Sequence, residues 1–242
     1  MSDIREIEGW IDRVRECYLA DDQVMTDKLL GEALEKTNNA PQLMEIAGMI
    51  AYKYGDFKES IRLIEAAMFE ISLSISGQLT LANAGLQTGD WELARSTACF
   101  LVEIIDRVPC SMLPDLTELA SALEDYELAV CVCREAYTRN PSDDNAVFGV
   151  GFYMYRAGAP LELAKYMMNK AVCMNPESQV YRVYVATIHC LLGEWDTAYS
   201  HACQITDRAL GGVSCERMVK ALAELFLRYE DSSRFEKLVS AD

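Results

Sequence analysis

A register of close to 34 residues runs along this chain and restricts its fold more than any other feature. The fragments Gly55-Asp56-Phe57, Gly89-Asp90-Trp91 and Gly193-Glu194-Trp195 each follow an apolar helical stretch and open another. Marking the aromatic or large apolar residue after each such turn gives Phe57, Trp91, Tyr126, Leu161, Trp195 and Tyr229, at successive spacings of 34, 35, 35, 34 and 34. A fixed period of this length belongs to chains built by stacking one supersecondary unit on copies of itself, because a single unit cannot bury its apolar face alone.

Three places after the mark most units carry a small residue (Ser60, Ala94, Ala129, Ala164, Ala198), and ten places after it several carry alanine (Ala67, Ala136, Ala171). Small side chains let two helix backbones approach closely, so these columns express packing and not chemistry. Asn140-Pro141 and Asn175-Pro176 lie 35 apart, where proline ends one helix and orients the chain for the next. Asp56 followed by Glu59 has the spacing of a capping box at the start of a second helix.

At these residues the chain resembles the tetratricopeptide repeat, a helix-turn-helix unit of about 34 residues with a turn glycine, an aromatic, spaced alanines and a terminal proline. The resemblance covers nearly the whole chain. It implies an all-α fold, an α-α superhelix or solenoid of about six repeats plus a C-terminal capping unit, in a single helical repeat domain over 1–242. In that phase the repeats fall at about 7–40, 41–74, 75–108, 110–144, 145–178 and 179–212, with a partial capping unit at 213–242. The first repeat has Asp21-Asp22-Gln23 in place of a glycine turn, and the fourth has Glu124-Asp125-Tyr126 after a helix opened by Pro114. Pro109 and Pro114 predict a change of curvature there without a domain boundary.

Charge narrows the function. Asp and Glu number 38 against 22 Lys and Arg, and a net charge of −16 repels phosphate backbones and anionic lipid surfaces, so neither nucleic acid nor membrane is an expected partner. Residues 110–144 hold eight carboxylates against Arg134 and Arg139, whereas 145–212 balance five against five. The same balance argues against the pentatricopeptide type, a repeat of similar period that binds single-stranded RNA. The longest apolar run, Ala146 to Tyr155, is too short for a membrane span and reads as a buried helix. Met1-Ser2-Asp3-Ile4-Arg5-Glu6 puts charges where a secretory signal needs an apolar stretch, so a cytoplasmic location is expected. The nine cysteines are an odd number inside helical patterns, which suits reduced thiols used as small core residues.

Signals for chemistry are sparse. His189 falls at a core-facing place and His201 on the next helix, with no third partner at a clear spacing. Cys131 and Cys133 are two residues apart, which places them about 200° apart around a helix and prevents a shared zinc. No phosphate loop, zinc-protease or nucleophile-elbow motif is present, and Gly211-Gly212 sits in an inter-repeat loop. Trp10, Trp91 and Trp195 fall at packing places without a basic stripe. The expectation is therefore no catalytic residue, no cofactor and no metal.

In the family that the chain resembles, first helices of successive repeats line a concave groove holding peptide segments. Carried over, that arrangement places Arg15 and Tyr18 in the groove from the first unit, and Glu45, Met49, Tyr52 and Lys53 from the second. The third supplies Leu79, Asn83, Leu86 and Gln87. Later units add Tyr153 and Arg156, then Val183, Tyr184 and Thr187, and last Arg217 and Met218. Such a surface suits an amphipathic or extended apolar segment with a weak dependence on salt. The same positions also suit packing against the next repeat. Asn83 matches one place of the clamp by which some relatives grip acidic chaperone tails, but Leu79 occupies the place of its partnering lysine.

The expected function is a non-enzymatic protein–protein interaction scaffold, an adaptor or dedicated chaperone that holds a segment of another protein. The alternative is a structural scaffold that forms a homo-oligomer through repeat stacking.

Overall fold

The computed structural model describes residues 4–239. Met1, Ser2 and Asp3, which belong to the leader reading, and positions 240–242 of the capping unit lie outside the described residues. Among the described residues there are fifteen α-helices and no strand. The chain forms two compact units, Met1–Val108 and Pro109–Asp242.

The first unit holds α1 (Ile4–Leu19), α2 (Gln23–Lys36), α3 (Pro41–Lys53), α4 (Phe57–Met68), α5 (Ile75–Thr88) and α6 (Trp91–Glu103). They form three antiparallel hairpins, each first helix packing on its own second helix, with α3 also against α5. Trp10 and Val14 of α1 meet Leu29, Leu30 and Ala33 of α2 and Leu43 and Ala47 of α3 in one core, and Ile64 and Ala67 of α4 meet Leu81 of α5 in a second.

The second unit holds α7 (Leu113–Ala122), α8 (Tyr126–Arg139), α9 (Asp144–Arg156), α10 (Leu161–Met174), α11 (Gln179–Leu191), α12 (Trp195–Ala202), α13 (Asp207–Gly211), α14 (Glu216–Arg228) and α15 (Ser232–Val239). One core joins Val130, Val147, Val150, Met168 and Ile188 across α8 to α11, and another joins Ala186, Leu210, Leu222, Leu225 and Phe226 across α11 to α14.

The small-residue column lies where helices touch: Ser60, Ala94, Ala129, Ala164 and Ala198 are all fully buried. Facing it, Gly151 of α9 is so close to α10 that a Cβ would stand 2.9 Å from the Ala164 carbonyl oxygen and 2.8 Å from Met168 Cγ.

The turn inside six of the seven hairpins has one backbone solution; in α9–α10 the left-handed residue is Gly158 (φ 75°), three places before α10. The residue two places before the second helix is left-handed at Asp21 (φ 57°), Gly55 (82°), Gly89 (79°), Glu124 (55°), Gly193 (73°) and Glu230 (53°). The three hairpins that lack the glycine there, at Asp21, Glu124 and Glu230, thus keep its geometry, with an acidic residue bearing the strain. An aspartate then caps the second helix: Asp22 accepts from Met25 N–H, Asp56 from Glu59, Asp90 from Leu93, Asp125 from Leu128 and Asp231 from Arg234.

Two local expectations are corrected. Asp56 and Glu59 form half of a capping box: the Asp56 N–H donates to the Ala51 carbonyl, so the Glu59 carboxylate turns instead to Arg62 at 2.6 and 2.7 Å. Tyr229 does not open a second helix; it is the C-cap of α14, and α15 begins at Ser232. The register slips because α12 is only eight residues long and the short α13 follows it. Arg234 of α15 reaches the exposed end of α12 and donates to the carbonyls of Ala202 (3.1 Å), Cys203 (2.7 Å) and Ile205 (2.9 Å). Those carbonyls have no helical successor, and a cation is favoured at the negative end of the helix dipole.

Candidate functional site: an aromatic groove in the second unit

The run from Ala146 to Tyr155 becomes α9, and helical periodicity divides it. Ala146, Val147, Val150, Gly151 and Met154 are buried, as the sequence leads one to expect. Phe148, Phe152, Tyr153 and Tyr155 stay half-buried on the remaining surface. There Phe148, Phe152 and Tyr153 join a continuous aromatic set, while Tyr155 lies under Arg217. Phe148 stacks on Tyr181 at 4.3 Å between ring centres, Phe152 meets Tyr153 edge-on at 4.8 Å and Tyr184 at 5.3 Å, and Tyr153 lies 6.4 Å from Tyr126. Such contacts add stability beyond area burial and hold the rings in fixed orientations.

Three hollows open along this set. One of about 460 Å³ lies between α7, α8 and α9, lined by Pro114, Thr117, Glu118, Phe148, Phe152 and Tyr153 among others. A second of about 370 Å³ is bounded by Phe152, Tyr155, Arg156, Tyr184, Cys215, Arg217 and Met218. A third of about 360 Å³ is walled by Gln179, Val180, Val183, Tyr184, Val213, Cys215 and Met218. Phe152 belongs to the first two, and Tyr184, Cys215 and Met218 to the last two, so the hollows form one groove over the first helices α7, α9, α11 and α14.

Polar anchors fix the walls. The Tyr181 hydroxyl donates to Asp144 at 2.9 Å and Asn145 at 2.7 Å, and Asn175 donates to the same Asp144 carboxylate at 2.9 Å. Asn175, and after it Tyr181, hold the Asp144 carboxyl below the usual range, while burial and the carboxylate push the Tyr181 phenol up. Burial also raises the phenols of Tyr153, Tyr155 and Tyr184, against the pull of Arg156, and at Tyr155 also of Arg217. All three are neutral donors over the physiological range.

The expected groove residues divide. Tyr153, Arg156, Tyr184, Arg217 and Met218 all line these hollows. Val183 and Met218 both line the third hollow although each is buried, whereas Thr187 is buried with its hydroxyl donating to Val183 O at 2.8 Å, so it serves packing. In the first unit Leu79 is buried, and Asn83 turns back to donate to Leu79 O at 2.9 Å. Tyr18 lies under the Lys53 ammonium at 4.2 Å, Tyr52 leans on Phe57 at 5.4 Å, and Met49 and Leu86 are half-buried. Glu45 is buried and accepts from Ser74 N–H and Oγ at 2.8 and 2.6 Å, which ties α3 to the start of α5. Sequence reasoning missed Phe148, Phe152 and Tyr155; their i, i+4 and i+7 spacing was the available signal, masked by the apolar run around it.

The histidines lie in a separate polar cluster. His189 Nδ1 meets Glu194 Oε2 at 2.5 Å, its Nε2 lies 3.4 Å from Asn169 Oδ1, and its ring stacks on His201 at 5.6 Å. Lys165, then His189, hold the Glu194 carboxyl below its usual range, and Lys165 also pairs with Glu162 at 2.5 Å. Burial, with His189 and Arg182 after it, lowers the His201 imidazole. Among the described residues no three His, Cys, Asp or Glu side chains are grouped to hold a metal ion. Cys131 is exposed and Cys133 buried, on opposite sides of α8.

No protein-family model and no curated protein sequence matches the chain. Solved structures do. A tetratricopeptide repeat protein from Parabacteroides merdae superposes with a TM-score of 0.59 over 96% of this chain and 90% of its own, at 16% identity. The fold is of the tetratricopeptide-repeat type. MamA MSR-1 has a TM-score of 0.53 over 78% of this chain and 98% of its own at 17% identity. In the Naa15/Naa10 structure bound to HypK-THB the similar chain gives 0.64 over 97% of this chain and 36% of its own at 14% identity. The hairpins described above, from α1–α2 through α14–α15, are thus tetratricopeptide-type pairs, and α13 is an addition between the sixth and seventh. Among the described residues no helix is long and apolar enough to cross a membrane.

Proposed function

We propose that the protein is a non-catalytic protein-binding scaffold that holds an apolar or amphipathic segment of another protein in the second unit's groove, as an adaptor or dedicated chaperone in the cytoplasm. The observation that carries this reading is the run of joined hollows floored by Phe152, Tyr153 and Tyr184. Aromatic anchors in concave surfaces concentrate binding energy, and their rings, already ordered by mutual contact, lose little entropy on binding. The fold-level likeness to a chain solved in a complex bound to HypK-THB is in keeping with it. Neither nucleic acid nor membrane is proposed as a partner, given the net charge of −16.

Replacing Tyr153 or Tyr184 with Ala should weaken a true partner by about 1 to 3 kcal/mol with circular dichroism unchanged, and moderate salt should leave binding largely intact. Unchanged affinity in both variants, or loss of binding in moderate salt, would move the contact to the acidic residues outside the groove, Glu124, Asp125 and Glu127.

A second reading, self-association, is favoured by the first unit. There Met68, Phe69 and Phe100 are 49%, 85% and 44% exposed, and Met68 and Phe100 line an apolar hollow of about 440 Å³ between α4 and α6. Light scattering over a concentration series separates the two: a constant monomer mass removes self-association, and a mass that rises with concentration and reverts in Phe69→Glu establishes it.

A further inference from the structure

The middle hollow of the groove has a chemistry that an apolar segment alone does not use. Arg156 and Arg217 stand on its rim, both exposed, and among the described residues neither has a carboxylate within ion-pair distance. Arg62 pairs with Glu59, Arg139 with Glu135 and Arg234 with Asp231. Instead, the Arg156 guanidinium lies 4.4 Å over the Tyr126 ring with one N–H donating to its hydroxyl, and Arg217 lies 5.1 Å over Tyr155. Arg13 and Arg228 also lie over rings, those of Trp10 and Trp195; Arg156 and Arg217 differ from these two in lining one hollow together. A guanidinium over a ring still has further N–H groups to offer, at Arg156 those not given to Tyr126, and these can donate to a carboxylate.

From the groove reading, and resting on it, we infer that this hollow reads one acidic side chain of the bound peptide, held between Arg156 and Arg217, next to an apolar side chain seated in the adjoining hollow against Val183 and Met218. The two hollows share Tyr184, Cys215 and Met218, so the acidic and apolar side chains are close neighbours in the segment. A single carboxylate is favoured over a polyanion because Glu118 and Asp143 line the first hollow and repel a chain charged along its length.

The test uses the full chain and a synthetic peptide library in a Gly/Ser background, with Leu or Ser at one position and Glu, Gln, Lys or Ala at each other, read by fluorescence anisotropy. The expected result is selection for Leu with a preference of about tenfold for Glu over Gln at one neighbouring position, the scale of a charge-assisted pair. The double variant Arg156→Gln/Arg217→Gln should lose the Glu preference and keep the Leu selection, which also reports an intact groove. Equal binding of Glu and Gln peptides with Leu still selected overturns this inference and leaves the groove reading in place. A Glu preference that survives in the double variant also overturns it, since another site then reads the carboxylate. Absence of any Leu selection overturns both.

Discussion

Among single residues, the left-handed turn position separates cost from function. Glu124 adopts φ 55° where glycine stands in other repeats at 79° and 82°. A side chain in that region is strained by about 1 kcal/mol, so Glu124→Gly should raise unfolding free energy by roughly that amount in urea titration, and Gly89→Ala should lower it similarly. The same substitution at a right-handed helical position would have the opposite sign. A second residue-scale effect belongs to His201, whose Nδ1 is buried with no hydrogen-bond partner among the described residues and whose imidazole burial holds down. The unfolded chain protonates it near a pH of about 6.5, and the folded one only at lower pH. The unfolded state therefore binds more protons in that window, and stability falls as pH drops from about 6.5 towards the folded value. His201→Gln should flatten this decline in denaturation curves measured across the window. Further loss follows in stronger acid, when Asp144 and Glu194, both held low in the fold, take up protons.

Helices and their ends show how the seventh pair keeps its place after the register slips. Arg234 supplies charged hydrogen bonds to three carbonyls at the end of α12 and is paired with Asp231 at 3.4 Å. Arg234→Met keeps the length of the side chain but leaves those carbonyls without that partner, and should cost about 2 kcal/mol by thermal or chemical denaturation. Arg234→Lys should recover only part, because one ammonium does not match three carbonyls in a fan. At the α9–α10 contact, Gly151→Ala should cost about 1 to 3 kcal/mol, since the Ala164 backbone oxygen has nowhere to move.

For the molecule as a whole, burial is uneven within each unit. Val185, Ala186, Thr187, Ile188, His189 and Cys190 are buried in succession, because α11 is covered by α10, α12, α13 and α14. Burial pushes the Cys190 thiol up to about 12 and the Cys133 thiol to about 11, so both stay protonated and unreactive. By contrast α1 buries only Trp10 and Val14, and α15 only Leu238. Hydrogen exchange followed by mass spectrometry should give α1 and α15 the fastest amides and α11 the slowest, with intermediate helices graded between them. Uniform protection along the chain would contradict a stack held by neighbours.

The period, the small-residue column and the glycine turns were legible in the sequence because each is local: helix length, close approach and a left-handed residue recur at fixed distances along one chain. They determined the all-helical hairpins, yet the seventh pair shows the limit of that reasoning. Its start depends on how soon α12 stops and on the added α13, and the carbonyls at the end of α12 are met by Arg234 from about thirty residues further on. For the groove, the sequence alone proposed Tyr153, Arg156, Val183, Tyr184, Arg217 and Met218, but it could not tell them from Leu79 and Thr187. A position on a first helix is open or covered according to the neighbouring pair's approach, and that spacing exists only in three dimensions. The tertiary structure likewise turned Phe148, Phe152 and Tyr155 from an undivided apolar run into one wall of a groove, because only packing decides which side of α9 the next helices leave free.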